Sequence, residues 1–99
     1  MTDERDIEAR LVRAVSERGG MCIKLDSASK KGIQDRLVLL PGGRVFFIEL
    51  KRPTGGRVSV LQQVRRTQIR RMGFQACVVK NTDELDKLVK NWDNEAQKE

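Results

Sequence analysis

Three residues near the middle of the chain could do chemistry together: Asp35, Glu49 and Lys51. Two facing carboxylates bind a hard divalent cation through oxygen. A lysine beside them can hold an attacking water and stabilise charge on a phosphorane-like transition state. Such a set hydrolyses a phosphodiester without histidine. The chain needs that route, because its 99 residues include no His and no Tyr. Ser-His-Asp hydrolysis, Cys-His pairs, histidine metal sites and tyrosine nucleophiles are therefore excluded. Cys22 and Cys77 stand far apart inside apolar segments. They cannot make a zinc site alone. They read as buried free thiols in a reducing cytosol rather than as a disulfide.

The three residues meet only if the segments around them form a particular hairpin. Asp35–Leu40 and Arg44–Lys51 are strand-like runs joined by Pro41-Gly42-Gly43, a strong hairpin signal. With Leu40 opposite Arg44, Asp35 falls opposite Glu49. Any odd-length loop centred on Gly42 gives this register. A one-residue slip would send the carboxylates to opposite faces. By the two-residue strand period, Val45, Phe47, Glu49 and Lys51 share one face, and Phe46, Ile48 and Leu50 the other. Facing carboxylates repel without a cation, and a divalent ion turns that repulsion into a site. An E-x-K triplet alone is more often a solvated strand face. The apolar flanks (VFFIELK) and Asp35 opposite strengthen it.

The remaining elements follow from periodicity. Residues 3–18 read as a helix with Ile7, Leu11, Ala14 and Val15 at helical spacing, capped by Thr2 or Asp3 and stopped by Gly19-Gly20. Met21–Leu25 reads as a short strand. Residues 26–32 and 52–57 read as loops. A second helix starts at Ser59 and runs to Met72, with Gly73 as its stop. Phe74–Val79 is a fourth strand. Thr82 caps a last helix bearing Leu85, Leu88, Val89 and Trp92 on one face. The tail from Asn94 reads as frayed. The order is αβββαβα in a single α/β domain spanning residues 1–99. Val45, Phe47 and Trp92 read as core, Trp92 with a dimer anchor as its other reading.

Charge is unevenly spread. The net charge is +6, but residues 18–80 carry +11 and the two ends together −5. A basic centre suggests a polyanion partner, nucleic acid before membrane surface. No apolar run is long enough for a membrane span, and nothing points to an organic cofactor. With four aromatics, single-strand recognition by stacking is poorly supported.

These segments together carry a resemblance. Gly32-Ile33-Gln34-Asp35-Arg36, Leu37–Leu40, Pro41-Gly42-Gly43 and Phe47-Ile48-Glu49-Leu50-Lys51 resemble the core of the PD-(D/E)xK nuclease superfamily. Within it the chain is similar to the VRR-NUC (virus-type replication-repair nuclease) family over about Glu8–Leu88. The features occur in order: a Gly-Gly after the first helix, D-R-L-V-L-L, E-L-K, a G-G-R loop and an S-x-L-Q helix start. The resemblance implies a restriction-endonuclease-like core with a mixed central sheet flanked by helices. It implies an endodeoxyribonuclease dependent on Mg²⁺ or Mn²⁺. Asp35 and Glu49 match the metal-binding acids, Lys51 the catalytic lysine, and Leu50 supplies a carbonyl to the metal. Glu8 matches an acid of the first helix that completes or tunes the site. Gln62 matches the glutamine on the following helix. Gln34 stands where the family usually has proline, which restores an N–H and frees φ.

Each assignment has a plainer rival. Glu8 suits a helix first turn on dipole grounds alone. Gln62 lies three residues after Ser59, the spacing of a capping box. Lys30, Lys31, Arg36, Arg52 and Arg57 are the candidates for DNA contact, with solvated charge as the other reading. Arg65, Arg66, Arg70 and Arg71 cover two flanks of one helix and suit DNA backbone or solubility. The function expected from the resemblance is a homodimeric resolvase of four-way (Holliday) junctions, working in the cytoplasm of a bacterium or phage-infected cell. A flap or duplex nuclease, and a non-catalytic DNA-binding module on the same fold, are the alternatives.

Overall fold

A computed structural model describes residues 4–26, 31–51 and 59–97. Seven elements follow in the order α1 (Glu4–Glu17), β1 (Met21–Lys24), β2 (Arg36–Leu40), β3 (Arg44–Leu50), α2 (Val60–Arg71), β4 (Gln75–Val79) and α3 (Thr82–Ala96). The four strands form one mixed sheet in the order β1-β2-β3-β4, the first three antiparallel and β4 parallel to β3. The return to a parallel edge strand requires a crossover, which α2 supplies.

The hairpin between β2 and β3 has the register read from the sequence: Leu40 pairs with Arg44, Val38 with Phe46 and Arg36 with Ile48. Its loop contains two glycines at positive φ, Gly42 at 88° and Gly43 at 75°. Left-handed backbone lets three residues reverse the chain without splaying the strands. Arg44 braces the turn through Nε on Pro41 O and reaches Trp92 O with Nη1.

Alternation then sorts the strands into two faces. Val38, Leu40, Phe46, Ile48 and Leu50 face α1 and α3, where they close a core with Ile7, Leu11, Val15, Val79, Leu85 and Trp92. The Phe46 and Trp92 rings lie 5.2 Å apart, so Trp92 is core. Arg18 at the end of α1 grips the Asp93 carboxylate of α3 with Nε and Nη2 at 2.7 and 2.9 Å. The two helices are thus pinned side by side on one face. On the other face α2 covers β4, burying Ile69 and Ala76. Val45 and Phe47 lie on this second face and are only half-buried. Phe47 meets the exposed Phe74 edge-on. They do not join the core as expected, because α2 spans β4 and leaves the rest of that face thinly covered.

Element ends shift slightly from expectation. Asp35 and Lys51 fall just outside their strands. Asn81, not Thr82, caps α3 by accepting the Glu84 N–H. Helix α3 runs past Asn94 to Ala96. Both cysteines are free thiols. Among the described residues no helix is long and apolar enough to cross a membrane.

Candidate active site

The hairpin register brings Asp35 and Glu49 together at one end of the sheet. Both belong to the odd-numbered face, beyond the last ladder pair Arg36–Ile48. Glu49 is 2% exposed. Its Oε1 accepts the Asp35 backbone N–H at 3.2 Å, and its Oε2 pairs with Lys51 Nζ at 3.1 Å. Asp35 Oδ1 accepts the Leu50 N–H at 3.2 Å. Acid, acid and lysine therefore form one connected cluster.

The main chain explains why Leu50 takes part. Lys51 N–H donates to Val79 O of β4. Hydrogen-bonding direction alternates along a strand, so the peptide groups of Leu50 turn the other way, toward β2. There β2 has not yet begun, and the Asp35 carboxylate fills the place of a ladder partner. The Leu50 carbonyl faces the same side as that carboxylate.

Arg36 sits on the opposite face by the same alternation. It is 6% exposed. Its Nη2 pairs with Glu8 Oε2 of α1, and its Nη1 donates to Asp35 O at 3.0 Å and lies 3.5 Å from Asp35 Oδ2. Glu8 thus meets the cluster through Arg36. Arg36, expected among the DNA contacts, is instead enclosed between two acids.

Among the described residues, Glu8 and Asp35 pair with Arg36 and Glu49 pairs with Lys51, while Glu4 of α1 adds to the acid side. Burial, first, and the neighbouring Glu49 charge, second, raise Asp35 to about 7. Lys51 and the Leu50 N–H pull the other way without cancelling them. A cluster that holds one carboxylate partly protonated at neutral pH favours an added cation. Among the described residues no three acid, histidine or cysteine side chains gather closely enough to cage an ion. The donors expected from the resemblance, two carboxylates and a carbonyl, would suit an ion that keeps much of its own water.

Gln62 does make the capping box. Its N–H donates to Ser59 Oγ at 3.0 Å, and its Oε1 accepts the Ser59 N–H at 3.2 Å. The cap uses the amide oxygen only, so the two readings of Gln62 compete less than the spacing suggested. Lys31 is exposed. Lys30, Arg52 and Arg57 lie outside the described residues. Of the helix arginines, Arg65 Nε donates to Lys31 O at 3.1 Å and Arg70 Nε to Ala76 O at 2.7 Å.

Three contacts were not readable from the sequence. Gly32, at φ 81°, lies so close to α2 that a Cβ would come within 2.4 Å of Leu61 Cγ. The fully buried Gln34 donates from Nε2 to Gln62 O at 3.2 Å. Together with Arg65 on Lys31, they seat the segment before Asp35 on the first turns of α2. Only the glutamine in a motif position usually held by proline hinted at this.

Comparison with known proteins bears on the family and the fold. No protein-family profile matches the chain. The chain is 35% identical over 80 residues to "Putative nuclease p44" of Acyrthosiphon pisum secondary endosymbiont phage 1, covering 81% of this chain and 85% of that protein. A solved "VRR_NUC domain" superposes with a TM-score of 0.82 at 27% identity, covering 91% of this chain and 97% of that one. A second, "VRR_NUC domain protein", superposes with a TM-score of 0.68 at 14% identity, over 92% and 88%, which supports the fold alone.

Proposed function

The chain belongs to the VRR-NUC family of PD-(D/E)xK nucleases, and from that premise we propose that it is a divalent-metal-dependent endonuclease that cuts branched DNA as a homodimer. The single observation that carries the metal-dependent cut is the buried Glu49 tied to the quarter-exposed Asp35, with Lys51 Nζ 3.1 Å from Glu49. The raised Asp35 and the close approach of Glu49 fit Mg²⁺ or Mn²⁺. Asp35, Glu49 and the Leu50 carbonyl would hold the ion, and the ion when bound supplies Lewis acidity toward the phosphate and acidifies a water.

The chain's own residues do the rest. Lys51, oriented by Glu49, donates to the attacking water or a non-bridging phosphate oxygen and stabilises the charge that grows there. The attacking water gives up a proton to bulk solvent and its oxygen forms the new P–O bond, while the P–O bond to the leaving deoxyribose breaks and that oxygen takes a proton from a solvent water. Glu8 tunes the cluster by holding Arg36 against Asp35. Gln62 offers its amide nitrogen from the start of α2. Lys30, Lys31, Arg52 and Arg57 contact DNA phosphates, and the basic middle of the chain supplies the field.

The homodimer reading follows from the substrate: a two-fold four-way junction needs paired incisions, and one such chain supplies one cluster. DNA as substrate sets the work in the cytoplasm of a bacterial or phage-infected cell. The experiment is competition between a four-way junction, a 5′ flap and linear duplex of equal length, with sedimentation of the free protein alongside. Symmetric paired nicks in the junction, with junction preferred and a dimer in solution, are expected. Preference for flap or duplex overturns the junction reading. Tight binding with no metal-dependent cut makes the chain a non-catalytic DNA-binding module.

A further inference from the structure

Gln34 is a polar side chain with no exposure at all. Its Nε2 donates to Gln62 O at 3.2 Å, while its buried Oε1 has no hydrogen-bond partner among the described residues. Half-satisfied buried amides are costly, and an apolar side chain of similar volume would serve packing better. The group it spends that stability on is the helix carrying Gln62. The neighbouring contacts act in the same direction: Gly32 abuts Leu61, and Arg65 Nε reaches Lys31 O.

The residue that follows is Asp35, and it lies outside the strand ladder. Its N–H goes to the Glu49 side chain, its O accepts the Leu25 N–H at 2.9 Å, and its carboxylate accepts the Leu50 N–H. These bonds hold Asp35 from the β1 and β3 sides at the end of the sheet, and the segment just before it carries the contacts that join it to α2. We propose that Gln34 is a positioning residue whose buried amide clamps that segment to α2 and thereby sets Asp35 against Glu49 and Leu50. The consequence is that α2 and the acid pair move as one piece, and a force on α2 reaches the site through Gln34. This deepens the cation reading given above and rests on it for one of its two readouts.

The test uses the full chain and the variant Gln34→Met, with Gln34→Leu as a second apolar probe should methionine fail to fold. Amide hydrogen exchange is followed without metal, Mn²⁺ binding by calorimetry, and thermal unfolding for both. The expected result is an unchanged or higher Tm, since the orphaned oxygen is gone. The Asp35 and Leu50 amides exchange faster while Val38 and Ile48 do not, and Mn²⁺ binds roughly 10–100-fold more weakly. Unchanged exchange at Asp35 and Leu50 with unchanged Mn²⁺ affinity overturns the clamp. So does a fall in Tm with all four amides loosening together, which a space-filling role would give. A wild-type chain that takes up no Mn²⁺ defeats the cation reading and leaves the clamp to be judged on exchange alone.

Discussion

Asp35 donates its backbone N–H to Glu49 Oε1 at 3.2 Å, so the two acids are tied together through the main chain of one of them. The tie holds two negative groups in a poorly hydrated place. Burial and Glu49 together raise Asp35 to about 7. The pair is therefore a standing electrostatic cost to the fold that an added cation removes.

The first expectation concerns pH. An aspartate in the unfolded chain titrates near 3.9, well below its folded value. Between the two the folded state binds more protons, so stability falls as pH rises. The contribution is fully present below about pH 4 and is lost as pH climbs through about 7. Solvent screening of a carboxylate that is a quarter exposed holds it to about 1–2 kcal/mol. Calorimetry of the metal-free protein from pH 5 to 8 should show a falling Tm, and Asp35→Asn should flatten that slope. A slope identical in the variant contradicts the assignment.

A second expectation concerns Glu8 and Arg36. Removing either leaves a buried or half-buried charge facing the wrong neighbours. Glu8→Gln and Arg36→Met should each destabilise by about 1–3 kcal/mol. The double variant should lose less than the sum, because the pair is one unit. Additive losses in chemical denaturation would mean that the two residues act independently.

The capping box separates the two roles of Gln62. Ser59→Ala should cost about 1 kcal/mol of stability. Gln62→Glu keeps the oxygen acceptor, so Tm should hold. Cleavage should still fall about tenfold or more, because a carboxylate replaces the amide donor beside a phosphate. Undiminished cleavage would reduce Gln62 to a helix cap.

At Gly32 the strain is both backbone and contact. A Cβ would lie 2.4 Å from Leu61 Cγ and 2.9 Å from Leu61 O, at a φ of 81°. Gly32→Ala should lower stability by about 1–3 kcal/mol. Adding Leu61→Ala should recover only part, since the carbonyl and the φ remain. Full recovery would place the whole effect in the Leu61 side chain.

Much of the fold was legible because its signals are local. Helical periodicity marked α1 and α3, the Ser59 start and Gly73 stop marked α2, and the odd-length loop centred on Gly42 set the register that pairs Leu40 with Arg44. That register alone puts Asp35 by Glu49. The VRR-NUC resemblance was legible for the same reason, since its motifs lie on that hairpin. Face assignment was legible only in part. Alternation put Val45 and Phe47 on one side, but how little α2 covers there depends on tertiary packing. The role of Arg36 was hidden, because a basic residue beside an acid motif looks the same whether it faces DNA or is enclosed by Glu8. The Gln34 tether was hidden too, since residues 34 and 62 meet only once α2 is docked.

The most direct test of the central claim is cleavage of a DNA four-way junction by the wild type, Asp35→Asn and Lys51→Ala, with Mg²⁺, Mn²⁺ or EDTA. The expected result is cutting by the wild type with either ion, none in EDTA, and loss of cutting in both variants. Lys51→Ala should still bind DNA and Mn²⁺. Cutting that persists in EDTA, or in Lys51→Ala at the wild-type rate, would contradict a site built on Asp35, Glu49 and Lys51.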